Sequence, residues 1–205
     1  MAQFISAADL KPKYNVLGHF YSIEFAPKNI VDCRSVLEIV DKELATKAAT
    51  ISGRKPDAIF VMMNPGSSKP LIPVGHHVYD EEIHDLPISL VPTKPDTTQY
   101  QVMRLMHYCD WQHVRVLNLS DLRCSKSNAF FKQYKALEVD GFDSHSIFSK
   151  RREQELTSKL TRHNAVPVIR AWGLSTELDP LIDRCTSRLG KSKAINGLLK
   201  EGMEN

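Results

Sequence analysis

DAIFVMMNPG, residues 57–66, decides the fold reading. An unbroken apolar run from Ala58 to Met63 is held between Pro56 and the breaker Asn64-Pro65-Gly66. A strand with one wet face alternates polar and apolar residues. A short continuous run bounded by turn residues instead predicts a strand buried on both faces, as in a parallel sheet covered by helices.

Two more runs match it downstream. Val114 to Leu117 (VRVL) stops at Asn118, and Val166 to Trp172 (VPVIRAW) stops at Gly173. Pro167 suits the start of a strand or an edge position. Helical patterns lie between and after these runs. Val102, Leu105, Met106 and Cys109 share one face, with Asp96, Thr97 or Thr98 as cap. Ala129–Glu138 and Lys150–Arg162 read as helices, and Asp179-Pro180 opens a last one through Leu189. Strands alternating with helices predict an α/β fold: a three-layer αβα domain with a mainly parallel central sheet, in one domain over 1–205.

Upstream, Tyr14 to Phe25 reads as a strand or hairpin. Ser35-Val-Leu-Glu38 reads as a capping box, followed by a helix through Val36, Leu37, Val40 and Leu44. These make an N-terminal part, 1–55, ahead of a core at 56–190 and a tail at 191–205. Ser67–Asp96 carries five prolines and predicts a long irregular connection of the kind that often serves function.

Composition narrows the class. The chain has 205 residues, 42% of them apolar and 25% charged, with a net charge of +3. That excludes a disordered tail, a collagen-like chain and a coiled-coil rod. No uncharged apolar run approaches the roughly 18 residues of a membrane span. Met1–Lys11 has no basic stretch leading into an apolar one, so a cytoplasmic protein without a membrane partner is expected. Cys33, Cys109, Cys124 and Cys185 form no C-x-x-C pair, which predicts reduced thiols and no cofactor. Leu71–Tyr100 carries a net charge of −4 and Val114–Arg170 one of +5, so a weakly basic face is one reading and a solvated mixed surface the other.

In an open parallel sheet, ligands bind beyond the carboxyl ends of the strands. Here those ends are Asn64-Pro65-Gly66-Ser67-Ser68, Asn118-Leu-Ser120-Asp-Leu-Arg123 and Trp172-Gly173. Two carboxamides at two strand ends, each with one acceptor and two donors, suit reading a planar base edge or holding a water. The same asparagines also serve as turn residues or Asx-turn caps. A competing site is the loop with His76, His77 and His84 among Asp80, Glu81, Glu82 and Asp85, a donor set for zinc, iron or manganese in a metal-dependent hydrolase. Its spacing matches no H-E-x-x-H pattern. The chain has no G-x-S-x-G elbow, no Walker loop and no G-x-G-x-x-G.

FVMMNPGSSKP, DTTQYQVMRLMHYCDW, VRVLNLSDLRCS and VPVIRAWG, taken in order, resemble the landmarks of the domain-of-unknown-function family numbered 1643 over roughly Ala58 to Gly173. More distantly, they are similar to the uracil-DNA glycosylase superfamily. That resemblance implies a glycosylase-like fold and a nucleobase or nucleic-acid ligand, with N-glycosidic bond hydrolysis as its chemistry. A non-catalytic binding module on the same sheet is the alternative. Asn64 would hold the attacking water, with Pro65 and Gly66 beside it. Asn118 would read the base, Phe130 or Tyr134 would stack on it or else pack a helix into the core, and Ser67, Ser68, Lys126, Lys132, Arg151 and Arg152 would hold phosphates, the basic ones serving otherwise as a solvated face. The superfamily also carries a His-Pro loop after its last strand. Here no His follows Gly173: a chain continuing into that loop beyond Asn205 would favour the enzyme, and one stopping there the binding module. Met62 stands in place of the superfamily's first motif glycine.

Overall fold

The structure is a computed structural model that describes residues 4–27, 29–44, 51, 53–163 and 166–190, and the backbone of 195–197. The sheet is built from β1 (Tyr14–Ala26), β2 (Asn29–Asp41), β3 (Ala58–Met62), β4 (Lys69–Pro70), β5 (His77–Tyr79), β6 (Val91–Lys94), β7 (His113–Asn118), β8 (Val168–Ala171) and β9 (Ile195–Gly197). Its order is β4-β6-β1-β2-β7-β3-β8-β9, with β5 pairing β1. The helices are α1 (Ala7–Leu10), α2 (Thr97–Tyr108), α3 (Ser127–Val139), α4 (Glu153–Leu160) and α5 (Asp179–Leu189).

The chain is α/β, and the three predicted strands are β3, β7 and β8. The mainly parallel sheet is corrected: β7, β3, β8 and β9 run parallel, while β1 pairs antiparallel with β2 and β6, and β2 pairs antiparallel with β7. The cause is the N-terminal hairpin, which adds an antiparallel half to the β7 edge.

The helix expected from Ser35 is corrected too. Residues 29–41 are β2, buried continuously from Cys33 to Val40. Val36, Leu37, Ile39 and Val40 fit helical spacing only because the run is apolar on every side. With β1 and β7 on its two edges and apolar clusters on both faces, a strand rich in β-branched residues is the better solution. The supposed capping box has other partners: Ser35 Oγ bonds His19 Nδ1 at 2.8 Å, and the Glu38 carboxylate takes Arg115 Nε at 2.7 Å and lies 2.8 Å from His113 Nε2.

Among the described residues the core has two large parts, split by the alternation of strand residues, and a small third one of Leu17, Val40 and Ile51. Ala58, Phe60, Val114, Val116, Leu37 and Ile39 meet Leu10 of α1 and Val102, Met103 and Met106 of α2. Ile59, Val61, Leu117 and Val168 meet Phe130, Tyr134 and Leu137 of α3, Leu156 of α4, and Leu181 and Cys185 of α5. Residues 67–96 form short edge strands and one 3-10 turn, Asp80–Asp85, rather than an unstructured loop. Buried Asp80 anchors that segment by accepting from Ser144 and Arg151. Among the described residues, no helix is long and apolar enough to cross a membrane.

Pairing shifts register by one residue between His19/Phe20 on β1 and the facing stretch of β2, where His19 faces Val36 and Phe20 faces Arg34. Ser35 is the extra residue of this β-bulge. The bulge places Arg34 on the same face as Leu37, although they are three residues apart.

His19 is buried beside it, stacked on Tyr21 at 5.6 Å. Burial, then the charges of His76, Arg152 and Lys159, push its imidazole down to about 3. The unfolded chain takes up this proton below about pH 6.5, while the folded chain refuses it until about pH 3. Stability from this group is therefore complete above pH 6.5 and declines as pH falls. Between pH 8 and pH 5 this group should withdraw about 2 kcal/mol, read as the difference in pH dependence between the wild-type protein and His19→Gln. Urea titrations of both proteins at the two pH values measure it; identical pH dependences would refute the assignment.

Candidate functional site

A cleft of about 380 Å³ opens where β3 and β8 end, walled by the start of α2 and floored by β2 and β7. The C-terminal run of β3 supplies Met62 to Gly66, β8 leads into Trp172 and Gly173, α2 offers Asp96, Thr98 and Gln99, and the floor holds Arg34, Leu37 and Val116. Gly66 and Gly173 adopt φ of 61° and 91°. A Cβ on either would meet nothing within 4 Å, so conformation rather than space is what calls for glycine there.

Asn64 ties two strand ends together. Its Nδ2 donates to the carbonyls of Leu122 (3.1 Å) and Cys124 (2.7 Å), past the end of β7. Carbonyls only accept, so this fixes the amide orientation and leaves Oδ1 as an acceptor on the cleft wall. Across the cleft, Asp96 and Gln99 form a capping box: Gln99 N donates to Asp96 Oδ1 at 2.9 Å and Asp96 N to Gln99 Oε1 at 3.3 Å. Trp172 is half-buried, so its indole both lines the cleft and packs against the core.

Of the residues expected from sequence, Asn64, Pro65 and Gly66 meet at this cleft. Asn118 lies on the Val116 face of β7 but is 0% exposed and off the cleft surface, with neither carboxamide atom partnered. Phe130 and Tyr134 are core residues at 0% and 1% exposure, out of reach for stacking. Ser67 is exposed and Ser68 buried, and neither lines the cleft. Arg151 pairs with Asp80, and Arg152 is buried against Asp121 and Glu155, so Arg152 offers no phosphate a surface. Lys126 and Lys132 are exposed in a separate shallow hollow at the start of α3. Arg34, Asp96, Gln99 and Trp172 were missed as site residues. Arg34 carried a signal: it is the one cation of a strand whose residues from Cys33 to Val40 are all buried.

The histidine loop disperses its imidazoles. His76 faces His19, His77 sits by Glu24, and His84 by Asp85. Among the described residues, no group of three or more His, Cys, Asp or Glu is placed to hold a metal. All four cysteines are free; Cys33 and Cys185 are buried, and burial raises both thiols.

Ser120, His145 and Glu138 line up in the order of a catalytic triad. Ser120 Oγ lies 2.9 Å from His145 Nδ1, and His145 Nε2 lies 3.1 Å from Glu138 Oε1. Both Ser120 and His145 are 0% exposed, so no substrate reaches the hydroxyl. Burial lowers the His145 pKa. Against the upward push of burial, hydrogen bonds from His145 and Arg184 hold the Glu138 carboxyl down to about 2. The trio is a buried polar brace.

The strand-end cleft is thus the place where accessible polar groups converge. No protein-family model, curated protein or solved structure matches the chain.

Proposed function

We propose that this chain binds a nucleobase or nucleoside in the strand-end cleft, on a sheet related to that of the uracil-DNA glycosylases. The observation that carries the reading is the meeting of one indole with two carboxamides there. Trp172 offers a stacking surface, while Asn64 Oδ1 and the Gln99 side chain offer groups for a base edge. The cleft volume falls in the small-ligand range of about 300–1,000 Å³, suited to one base or nucleoside and not to a duplex. The order of motifs from Asn64 to Gly173 supports the same reading.

Binding without hydrolysis is the form the geometry favours. The carboxylate lining the cleft is Asp96, whose Oδ1 caps α2, and no histidine lines it among the described residues. Water activation for glycosidic cleavage needs a base within hydrogen-bond reach of that water.

A thermal-shift panel of bases, nucleosides and uracil-containing oligonucleotides tests this. A ligand at about 100 times its Kd should add roughly 2.7 kcal/mol of stability. Trp172→Ala should weaken nucleoside affinity by about 1–3 kcal/mol through lost stacking. Silence to every base and nucleoside would overturn the reading, and release of free uracil from an oligonucleotide would restore the hydrolytic one.

A further inference from the structure

Arg34 is the cleft feature that a neutral base leaves unexplained. Its residue is 2% exposed, and its Nε and Nη1 have no hydrogen-bond partner, yet it lines the cleft. Two other buried guanidiniums, Arg115 on β7 and Arg152 ahead of α4, are answered. Arg115 has Glu38 and the carbonyls of Lys159 and Arg54, and Arg152 has Asp121 and Glu155. The acids nearest Arg34 make no hydrogen bond to it: Asp96 Oδ1 caps Gln99 N, and Asp121 Oδ2 takes Tyr21 and Arg152 while its Oδ1 is left without a partner. Burial pushes the guanidinium down to about 10, with Asp96 and Asp121 pulling upward and Arg123 adding a like charge. It therefore stays cationic at neutral pH. A buried guanidinium with two donors unanswered is costly for a fold to retain.

Its placement is built, not incidental. The Ser35 bulge turns Arg34 onto the cleft face, and Arg34 N is tied to Asp121 O at 2.9 Å, fixing β2 against the segment after β7. The first turn of the twelve-residue α2 opens onto the same space through Thr98 and Gln99. First-turn N–H groups have no intrahelical acceptor, and the helix dipole adds positive potential there.

We infer that the ligand of the cleft carries a phosphoryl group seated on Arg34 at the start of α2, so that the ligand is a nucleoside monophosphate and not a bare base. The nucleoside half rests on the proposed function, whereas the oxyanion half stands on Arg34 itself. A guanidinium presents paired donors that match two phosphate oxygens.

Titration calorimetry on the whole chain, with uridine, adenosine, their 5′-monophosphates, ribose 5-phosphate and inorganic phosphate, tests both halves. Each monophosphate should bind at least about tenfold tighter than its nucleoside. That ratio should fall to about one in Arg34→Met, while the melting temperature of the ligand-free variant rises because the unpaired charge is gone. Arg34→Lys, which keeps the charge and loses the fork, should give an intermediate ratio. If Arg34→Met does not fold, the wild-type ratio decides. Equal affinity for nucleoside and monophosphate would overturn the phosphoryl site and leave base binding standing. Binding of ribose 5-phosphate or phosphate with no gain from a base would uphold the oxyanion site and overturn the nucleoside. No binding by any phosphate-bearing probe would overturn the inference.

Discussion

Arg152→Met should lower the free energy of unfolding by about 3–5 kcal/mol, among the largest losses expected from a single change to a charged residue here. Arg152 is fully buried. Its Nη1 donates to Asp121 Oδ2 at 2.6 Å and Ser144 O at 3.1 Å, and its Nε to Glu155 Oε2 at 2.9 Å. Tyr21 donates to the same Asp121 oxygen at 2.9 Å. Methionine fills much of the volume and leaves Asp121 without its counter-ion. Burial already pushes the Asp121 carboxyl up to about 6 against the pull of Arg152. Without the guanidinium, the acid must take a proton at neutral pH or remain as an uncompensated charge. Replacing both partners, Asp121→Asn with Arg152→Met, should recover much of the loss, because the cost lies in the orphaned partner. Urea denaturation of the three proteins reads this directly. A single-variant loss under about 1 kcal/mol would mean that the pair is screened as a surface pair is.

Glu38→Gln should have an effect of similar size, about 3–5 kcal/mol, through a different network. The Glu38 carboxylate joins β2 to β7: Oε1 takes Arg115 Nε, and Oε2 meets His113 Nε2. Arg115 continues to the carbonyls of Lys159 on α4 and Arg54, so one side chain links sheet, helix and the connection before β3. Glutamine keeps the shape and one acceptor but removes the negative charge from a site 1% exposed. Arg115 would then be a buried cation with only carbonyl partners. Chemical denaturation should show a lower midpoint at unchanged slope. An unchanged midpoint would mean that the carbonyls alone suffice for Arg115.

These networks also explain what could and could not be read from the sequence. β3 was legible because a parallel strand buried on both faces is an unbroken apolar run, and β7 and β8 because short runs rich in branched residues, each broken by one arginine, stop at turn residues. The strand-end rule then pointed to Asn64, Pro65 and Gly66, which the cleft does contain. β2 was misread because Val36, Leu37, Val40 and Leu44 satisfy two periods at once, and Ser35 with Glu38 mimics a helix start. Their true partners, His19 and Arg115, come from distant strands that local spacing does not reveal. That error also hid Arg34, since a loop arginine draws no notice and a mid-strand one does. Phe130 and Tyr134 were assigned to the ligand because they follow a strand end, yet the side of α3 they occupy faces the sheet. Asp96 was visible as one of three candidate caps and Gln99 not at all; only the sheet order brings that cap to the strand ends.

The junction of antiparallel and parallel halves sets an order of assembly. In the β1–β2 hairpin, Ala26 is already register partner to Asn29, so the loop to be closed is minimal. The parallel half joins Ala58 to Val114 and Ile59 to Val168, contacts whose closure spans long stretches of chain. Long-range pairings form late when local ones are available. The hairpin is then the template on which β7 docks, and β3 and β8 follow. The cleft draws its walls from β2, β3, β8 and α2, so on this order it takes shape only once β8 has paired with β3. A partly folded chain can hold its hairpin intact and still have nowhere for a ligand to sit.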